Sequence, residues 1–185
     1  MKRLPVPLMI LLLFITGCTS TPTTVTTEQD PIPVQGSGVK QPIESMDDNA
    51  VVVQFDSVAI TKLTFKNTKT EIETVVEDLN KITLTKDYAR WQTYLSDEYV
   101  AVFSDPENLA AVSRSLPTKG IQLRTLRDYF NYVFVPSRQN MRVDDIQFVS
   151  PIRVYVIMEI APGSPAAIYI LEKTQAGWKI VPKNQ

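Results

Sequence analysis

The side chains that do chemistry in proteins are sparse in this chain, and their spacing restricts them further. Among its 185 residues it has one cysteine, Cys18, and no histidine. A lone thiol has no partner for an intramolecular disulfide and cannot build a thiolate metal cluster, so it is left with the chemistry of a single nucleophile. The missing histidine excludes Ser-His-Asp triads, imidazole acid–base catalysis and the usual zinc and iron sites. Asp144-Asp145 is the nearest approach to a metal pair. Adjacent strand residues point to opposite faces, however, and no further acids cluster there, so no metal and no cofactor are expected. The polar groups that survive as candidates are Tyr88, Tyr94, Tyr99, Tyr129, Tyr155, Tyr169, Arg153 and Glu159. On a strand, Arg153, Tyr155, Ile157 and Glu159 share one face, opposite Val154, Val156, Met158 and Ile160, and read as a solvent-facing row of mixed charge. Arg124 and Arg127, at i and i+3, read as solvated charge on the polar side of a helix.

The setting of Cys18 gives its thiol a use. Met1-Lys2-Arg3 is a positive n-region, and Val6 to Ile15 (VPLMILLLFI) is an apolar run interrupted only by Pro7. That pattern reads as a secretory signal. A spanning helix needs roughly 20 apolar residues, about twice this run, so the segment does not serve as a membrane anchor. It ends in Ile15-Thr16-Gly17-Cys18, an aliphatic residue, two small ones and a cysteine, which resembles the lipobox of bacterial lipoprotein signal peptides. The resemblance implies that residues 1–17 are removed, that the thiol of Cys18 is diacylglycerylated and that Cys18 becomes the mature N-terminus. Burial of each acyl methylene contributes about 0.8 kcal/mol, and two acyl chains suffice for stable anchoring. The implied address is the cell envelope, on the outer membrane in a Gram-negative cell, with the domain outside the cytoplasm and the membrane as partner.

Composition bounds the remainder. The chain carries 19 lysines and arginines against 20 acids; removing Lys2 and Arg3 leaves 17 against 20, a formal charge of −3. Basic residues are scattered, so nucleic acid is not an expected partner. After Cys18 the chain turns to Thr19-Ser20-Thr21-Pro22-Thr23-Thr24, then Pro31, Pro33, Gly36, Gly38 and Pro42, almost without aromatics. Such a stretch buries too little apolar area to offset its ordering entropy. Residues 18–49 therefore read as the lipidated cysteine and a disordered tether.

Residues 50–185 are enough for one domain with a single core. Val51, Val53 and Phe55, followed by Val58, Ile60, Leu63 and Phe65, predict one or two strands. Ile72, Val75, Val76, Leu79 and Ile82 predict an amphipathic helix of about four turns. Tyr88, Trp91 and Leu95, with Ser96 able to cap a further turn carrying Tyr99 and Phe103, predict a bent second helix. Ser104-Asp105-Pro106-Glu107 has the form of a capping box before a short helix from Leu109 to Ser115. Leu123, Leu126, Phe130 and Val133 form another stripe, which Pro136 closes or turns into an extended segment. The period then switches: Val143 to Val149, Ile152 to Ile160, Ala167 to Glu172 and Trp178 to Val181 read as strands joined by short turns, an antiparallel meander. Helices first and sheet last is an α+β layout, with the helices covering one face of a curved antiparallel sheet.

The order of these elements, with Trp91-x-x-Tyr94-Leu95-Ser96-x-x-Tyr99 on the bent helix and the ending Tyr169-Ile170-Leu171-Glu172-Lys173 then Gly177-Trp178-Lys179-Ile180-Val181, resembles the NTF2-like, or SnoaL-like, superfamily over about residues 68–182. These are packing motifs and bear on fold rather than activity. The resemblance implies a cone whose mouth opens between helices and sheet, and it makes Tyr88, Trp91, Leu95, Tyr99, Tyr129 and Tyr155 the candidate ligand-binding residues. No catalytic residue is assigned. The favoured expectation is a non-enzymatic envelope lipoprotein binding a small apolar ligand or a protein partner; the alternative is a histidine-free SnoaL-like isomerase, dehydratase or hydrolase using Tyr, Asp or Arg. One outcome is expected from the N-terminus alone. Cys18→Ala abolishes lipid labelling and membrane fractionation while the domain still unfolds cooperatively; a domain that no longer folds contradicts the separation of anchor from core.

Overall fold

The computed structural model describes residues 42–183. The signal segment, Cys18 and residues 19–41 of the expected tether lie outside the described residues. The architecture is mixed α+β: a β-hairpin, a run of helices and a four-stranded antiparallel sheet. Strands β1 (Val51–Phe55) and β2 (Val58–Thr61) form the hairpin. The expected strand does not continue to Phe65. Thr61 instead caps helix α1 (Lys62–Thr85), its hydroxyl accepting from the Thr64 amide. A threonine there satisfies a helix donor that otherwise lacks a partner. Once the backbone is helical, Leu63 and Phe65 cease to alternate on a pleat: Phe65 is buried and Leu63 exposed.

Helix α1 has 24 residues, about 36 Å at 1.5 Å per residue, and buries Phe65, Ile72, Val76, Leu79 and Ile82 along one side. Residues 42–49, which composition places in the tether, lie against its first turn. The buried Lys62 ammonium donates to the carbonyls of Glu44 (2.9 Å) and Met46, and the Leu63 amide donates to Asp48 (2.9 Å).

The predicted bend is a complete break. Helix α2 (Tyr88–Gln92) ends before α3 (Asp97–Ser104), and the short connection between them meets the sheet edge. Leu95 bridges Ile180 in parallel, with the Ser96 amide 3.0 Å from the Ile180 carbonyl and the Ile180 amide 2.6 Å from that of Tyr94. Ser96 caps α3 as expected. Helix α4 (Pro106–Ser115) is capped by Asp105 rather than by Ser104. Helix α5 (Leu126–Tyr129) opens on a capping box of Thr125 and Asp128. Leu123 and Arg124 therefore precede the helix, and Arg124 presents its amide to the Asp128 carboxylate (3.0 Å) instead of standing on a helical face. A π-turn (Phe130–Phe134) follows and runs into α6 (Val135–Ser137), so Pro136 lies inside the last turn and does not extend the chain.

The sheet is an unbroken meander of β3 (Asp145–Ser150), β4 (Arg153–Ala161), β5 (Ser164–Thr174) and β6 (Gly177–Ile180). Gly177 makes the last turn at φ +99°, a conformation that side chains with a Cβ rarely adopt. Val156 pairs with Tyr169 but Ile157 with Ala167, leaving Ile168 as an extra residue on β5. Such a bulge changes which face later residues meet. Ile157 is buried and Ile160 is 53% exposed, so the expected alternation along β4 holds for Arg153 to Val156 and fails beyond it.

Helix α1 lies over this sheet. The Phe65 and Phe148 rings are 6.1 Å apart, Lys69 donates to the Asp144 carbonyl (2.8 Å), and Asn80 clamps the Met141 backbone from both sides, donating at 2.6 Å and accepting at 2.9 Å. On β6, the buried Trp178 donates its indole N–H to Glu71 of α1 (2.7 Å), and Lys173 reaches the same carboxylate. Trp178→Ala is expected to cost about 3–5 kcal/mol in urea unfolding, the range for truncating a buried aromatic. A loss under about 1 kcal/mol contradicts the packing of β6 against α1.

Candidate functional site: an aromatic cluster under the helices

The indole of Trp91 is the centre of the helical layer. Asp87 starts α2 by accepting from the Arg90 amide (3.0 Å), which places Trp91 one turn in and fully buried. Around it stand Phe130 (ring centroids 4.9 Å apart), Phe134 (5.0 Å), Tyr88 (5.8 Å) and, edge-on, Tyr99 (6.1 Å). The network extends from Tyr99 to Phe103 (4.3 Å), from Phe103 to Tyr129 (4.5 Å), and from Phe134 to Tyr169 on β5 (6.2 Å). The π-turn makes this possible. Its wider turn, closed by the Val135 amide on the Phe130 carbonyl, buries Tyr129, Phe130, Phe134 and Val135 together, and such insertions are frequent at functional sites.

The polar atoms in this ring cluster are unusual for a core. Burial pushes the phenols of Tyr99 and Tyr129 above their ordinary range, Tyr99 further than Tyr129. Burial raises Tyr169 as well. The Trp91 Nε1 and the Tyr169 hydroxyl are buried without a hydrogen-bond partner among the described residues. Buried donors left unpaired cost about 1–3 kcal/mol each, so they are uncommon in native interiors. The half-buried Arg138 lies at the edge, its guanidinium 5.7 Å from the Tyr169 ring centroid. Arg138 donates to the Ser137 carbonyl (3.0 Å) and has no carboxylate within ion-pair distance among the described residues.

One carboxylate fixes α2 over the ring cluster. Asp78 of α1 accepts from the Tyr94 hydroxyl (2.8 Å) and from Arg90 (2.9 Å). The Tyr94 bond is the main reason its acid is held below the ordinary value of 3.8, with Arg90 and Lys81 adding to it against partial burial. Arg127, expected as solvated charge, stands over the Tyr88 ring at 4.3 Å.

Of the six ligand-binding candidates, Tyr88, Trp91, Tyr99 and Tyr129 meet in the ring cluster. Leu95 is buried beside them, at the break that bridges to Ile180. Tyr155 does not join them. It faces away from the core, between the buried Val154 and Val156, into an open cleft of about 360 Å³ that Arg153, Ile170, Glu172 and Pro182 also line. There Arg153 and Glu172 are ion-paired at 2.6 Å. The sequence reading missed Phe103 and Phe134 as wall residues and Arg138 altogether. Phe134 had a signal, since Phe130 and Phe134 stand at i and i+4. Arg138 had none, because it follows the helix in an irregular turn. Asp144 is engaged by Arg142 (2.8 Å) and the Glu159 amide (2.7 Å), and no group of three potential metal ligands occurs among the described residues.

A protein from Treponema pallidum (strain Nichols), named an uncharacterized lipoprotein, is 49% identical to this chain over 132 residues, 71% of this chain and 70% of that protein. No family model and no solved structure matches. Among the described residues no helix is long and apolar enough to cross a membrane.

The Asp78 contacts set an acid limit. Its folded pKa lies below its ordinary value, so its stabilising contribution is complete above about pH 4 and is lost as pH falls through the folded value. Urea midpoints taken from about pH 5 to pH 2.5 are expected to fall less steeply in Asp78→Asn than in the parent chain. Parallel slopes contradict the role of Asp78.

Proposed function

The chain belongs to the same family as the Treponema pallidum lipoprotein, and from that premise we propose that it is a lipoprotein whose domain holds a small apolar ligand in the aromatic cluster. The lipid is carried by Cys18, as the lipobox resemblance implies, and residues from 19 onward tether the domain to the membrane surface. The helical layer and the meander are read as an NTF2-like cone, with α1 and α2 over its concave side. The observation that carries the proposal is the gathering of Tyr88, Trp91, Tyr99 and Tyr129 with Phe103, Phe130 and Phe134 into one connected set of rings. Ligand sites are lined by aromatic and apolar side chains with a few placed polar groups, and this cluster has that make-up. Phe103 is only half-buried and gives the set an edge toward solvent.

The indole provides its own reporter. In a Trp178→Phe background, leaving Trp91 as the fluorophore, phenylalkanols, medium-chain alcohols and farnesol are expected to change the emission saturably. Phe103→Ala is expected to weaken that binding by about 1–3 kcal/mol, the loss of one aromatic contact. No saturable response across this panel removes the pocket.

A further inference from the structure

We propose that the open cleft on the outer face of the sheet binds a neutral saccharide, one or two sugar rings in size. The inference stands apart from the ring cluster, which lies on the sheet's other side. Strand register assembles the floor: Tyr155 of β4 is opposite Ile170 of β5, and Arg153 is opposite Glu172. Such cross-strand pairs share a face, here the one turned away from the buried Val154, Val156 and Leu171. Two walls enclose that floor into a cleft of about 360 Å³. One is the β3–β4 turn with Ser150 and Ile152, tied to β5 where the Lys173 amide donates to the Ile152 carbonyl (2.7 Å). The other is Pro182, held near Ile170 by the Val181 amide on the Ile170 carbonyl (3.0 Å). Both walls hang on backbone bonds, so the concavity is formed before any ligand arrives, which lowers the ordering cost of binding.

The polar groups of the cleft suit hydroxyls rather than ions. Among the described residues the charged ones that line it are Arg153 and Glu172, which neutralise each other at 2.6 Å. Nε (2.8 Å) and Nη2 of Arg153 both reach Oε2 of Glu172, and Oε1 accepts from no described residue. That half-buried oxygen is an acceptor for an O–H group, and a bond to a charged acceptor is about twice as strong as a neutral one. The Tyr155 hydroxyl, also without a hydrogen bond among the described residues, can donate or accept. The Ser150 hydroxyl accepts from the Ile152 amide (3.3 Å) and keeps its own proton to donate. An ionic ligand finds a pair already neutral and must displace one partner, leaving the other charge uncompensated. A sugar needs no such exchange. Its hydroxyls donate and accept, and its C–H groups pack on the Tyr155 ring and on Ile170 and Ile152, the last of which is 51% exposed. Lys179, opposite Glu172 on β6, turns instead to the Thr93 carbonyl. The volume lies near the lower end of small-molecule sites, about 300–1,000 Å³, and sets the size of the occupant.

The test follows the Ile152 and Ile170 methyl signals by NMR, on the isotope-labelled full chain in a detergent without a sugar head. The titrants are methyl glucoside and N-acetylglucosamine, which are neutral, glucosamine, which is cationic, and glucuronate, which is anionic. The neutral sugars are expected to shift both signals saturably and to bind at least about fivefold more tightly than either charged one. Tyr155→Ala is expected to weaken their binding at least about tenfold, and Tyr155→Phe, which keeps the ring, severalfold. Tyr155 faces outward, so the signals of the buried Ile72 and Ile82 stay in place in both variants and report an intact core. No shift from any of the four sugars, or shifts indifferent to both Tyr155 variants, overturns the cleft as a saccharide site. Glucosamine or glucuronate binding as tightly as the neutral sugars overturns the assignment of a neutral ligand.

Discussion

A 24-residue helix draws little stability from its own hydrogen bonds, because the ordering entropy of each residue nearly cancels them. Helix α1 persists because its apolar stripe is covered, and the rest of the fold is arranged by what covers it. Ile72, Val76, Leu79 and Ile82 repeat at intervals of four, three and three and are all but completely excluded from solvent. The polar residues flanking that stripe are spent on positioning other elements. Glu71 orients Trp178 and Lys173 of the sheet, Asp78 holds Arg90 and Tyr94, and Asn80 fixes Met141. Glu71 is kept ionised chiefly by Lys173 and then by the Trp178 N–H, so the two sheet contacts also lower its pKa. One helix therefore sets the place of α2, of β5 and β6, and of the loop before β3.

The break between α2 and α3 has a related cause. A continuous helix from Tyr88 to Ser104 would carry its backbone past β6 with no exchange of hydrogen bonds. Leaving the helix at Thr93 lets Tyr94 and Ser96 pair with Ile180, which protects the edge of β6 that would otherwise present unpaired groups. The break also turns the axis, so that Trp91 and Tyr99, eight residues apart, face the same space from two directions. The π-turn then brings Tyr129, Phe130 and Phe134 against them. The ring cluster is thus assembled from two local departures from regular helix, both anchored by backbone bonds and neither needing a special loop.

Those departures also mark the limit of what the sequence conveyed. The stripe of α1 and the four strands follow from periodicity, because burial on one side of an element leaves a residue-type signature; the Ser96 cap follows from residue type, and the grouping of Tyr88, Trp91, Tyr99 and Tyr129 was implied only by the family resemblance. The start of α1 did not, since Leu63 and Phe65 alternate as a strand would and only the Thr61 cap decides between the two. Ile157 and Tyr155 were placed on one face because a strand has period two. Beyond Val156 a bulge on the partner strand overrides that period, and a bulge on β5 leaves no trace in β4 itself. Arg138 is legible only in three dimensions, as a cation whose neighbours are rings from other elements.

Burial also decides the electrostatic character of that ring cluster. General acid–base catalysis near neutral pH needs a group whose pKa lies close to the working pH. The buried phenols move away from that range: desolvation disfavours their charged forms, and the Arg138 charge offsets this only in part. Their protonated forms are favoured, and a protonated phenol can donate a hydrogen bond. The depressed carboxylates Glu71, Asp78, Asp128 and Asp144 are each committed to cations, amides or hydroxyls outside the ring network. The ring cluster therefore joins a wall of aromatic side chains to phenols held in their protonated forms, while the depressed carboxylates stand outside it and hold other elements in place.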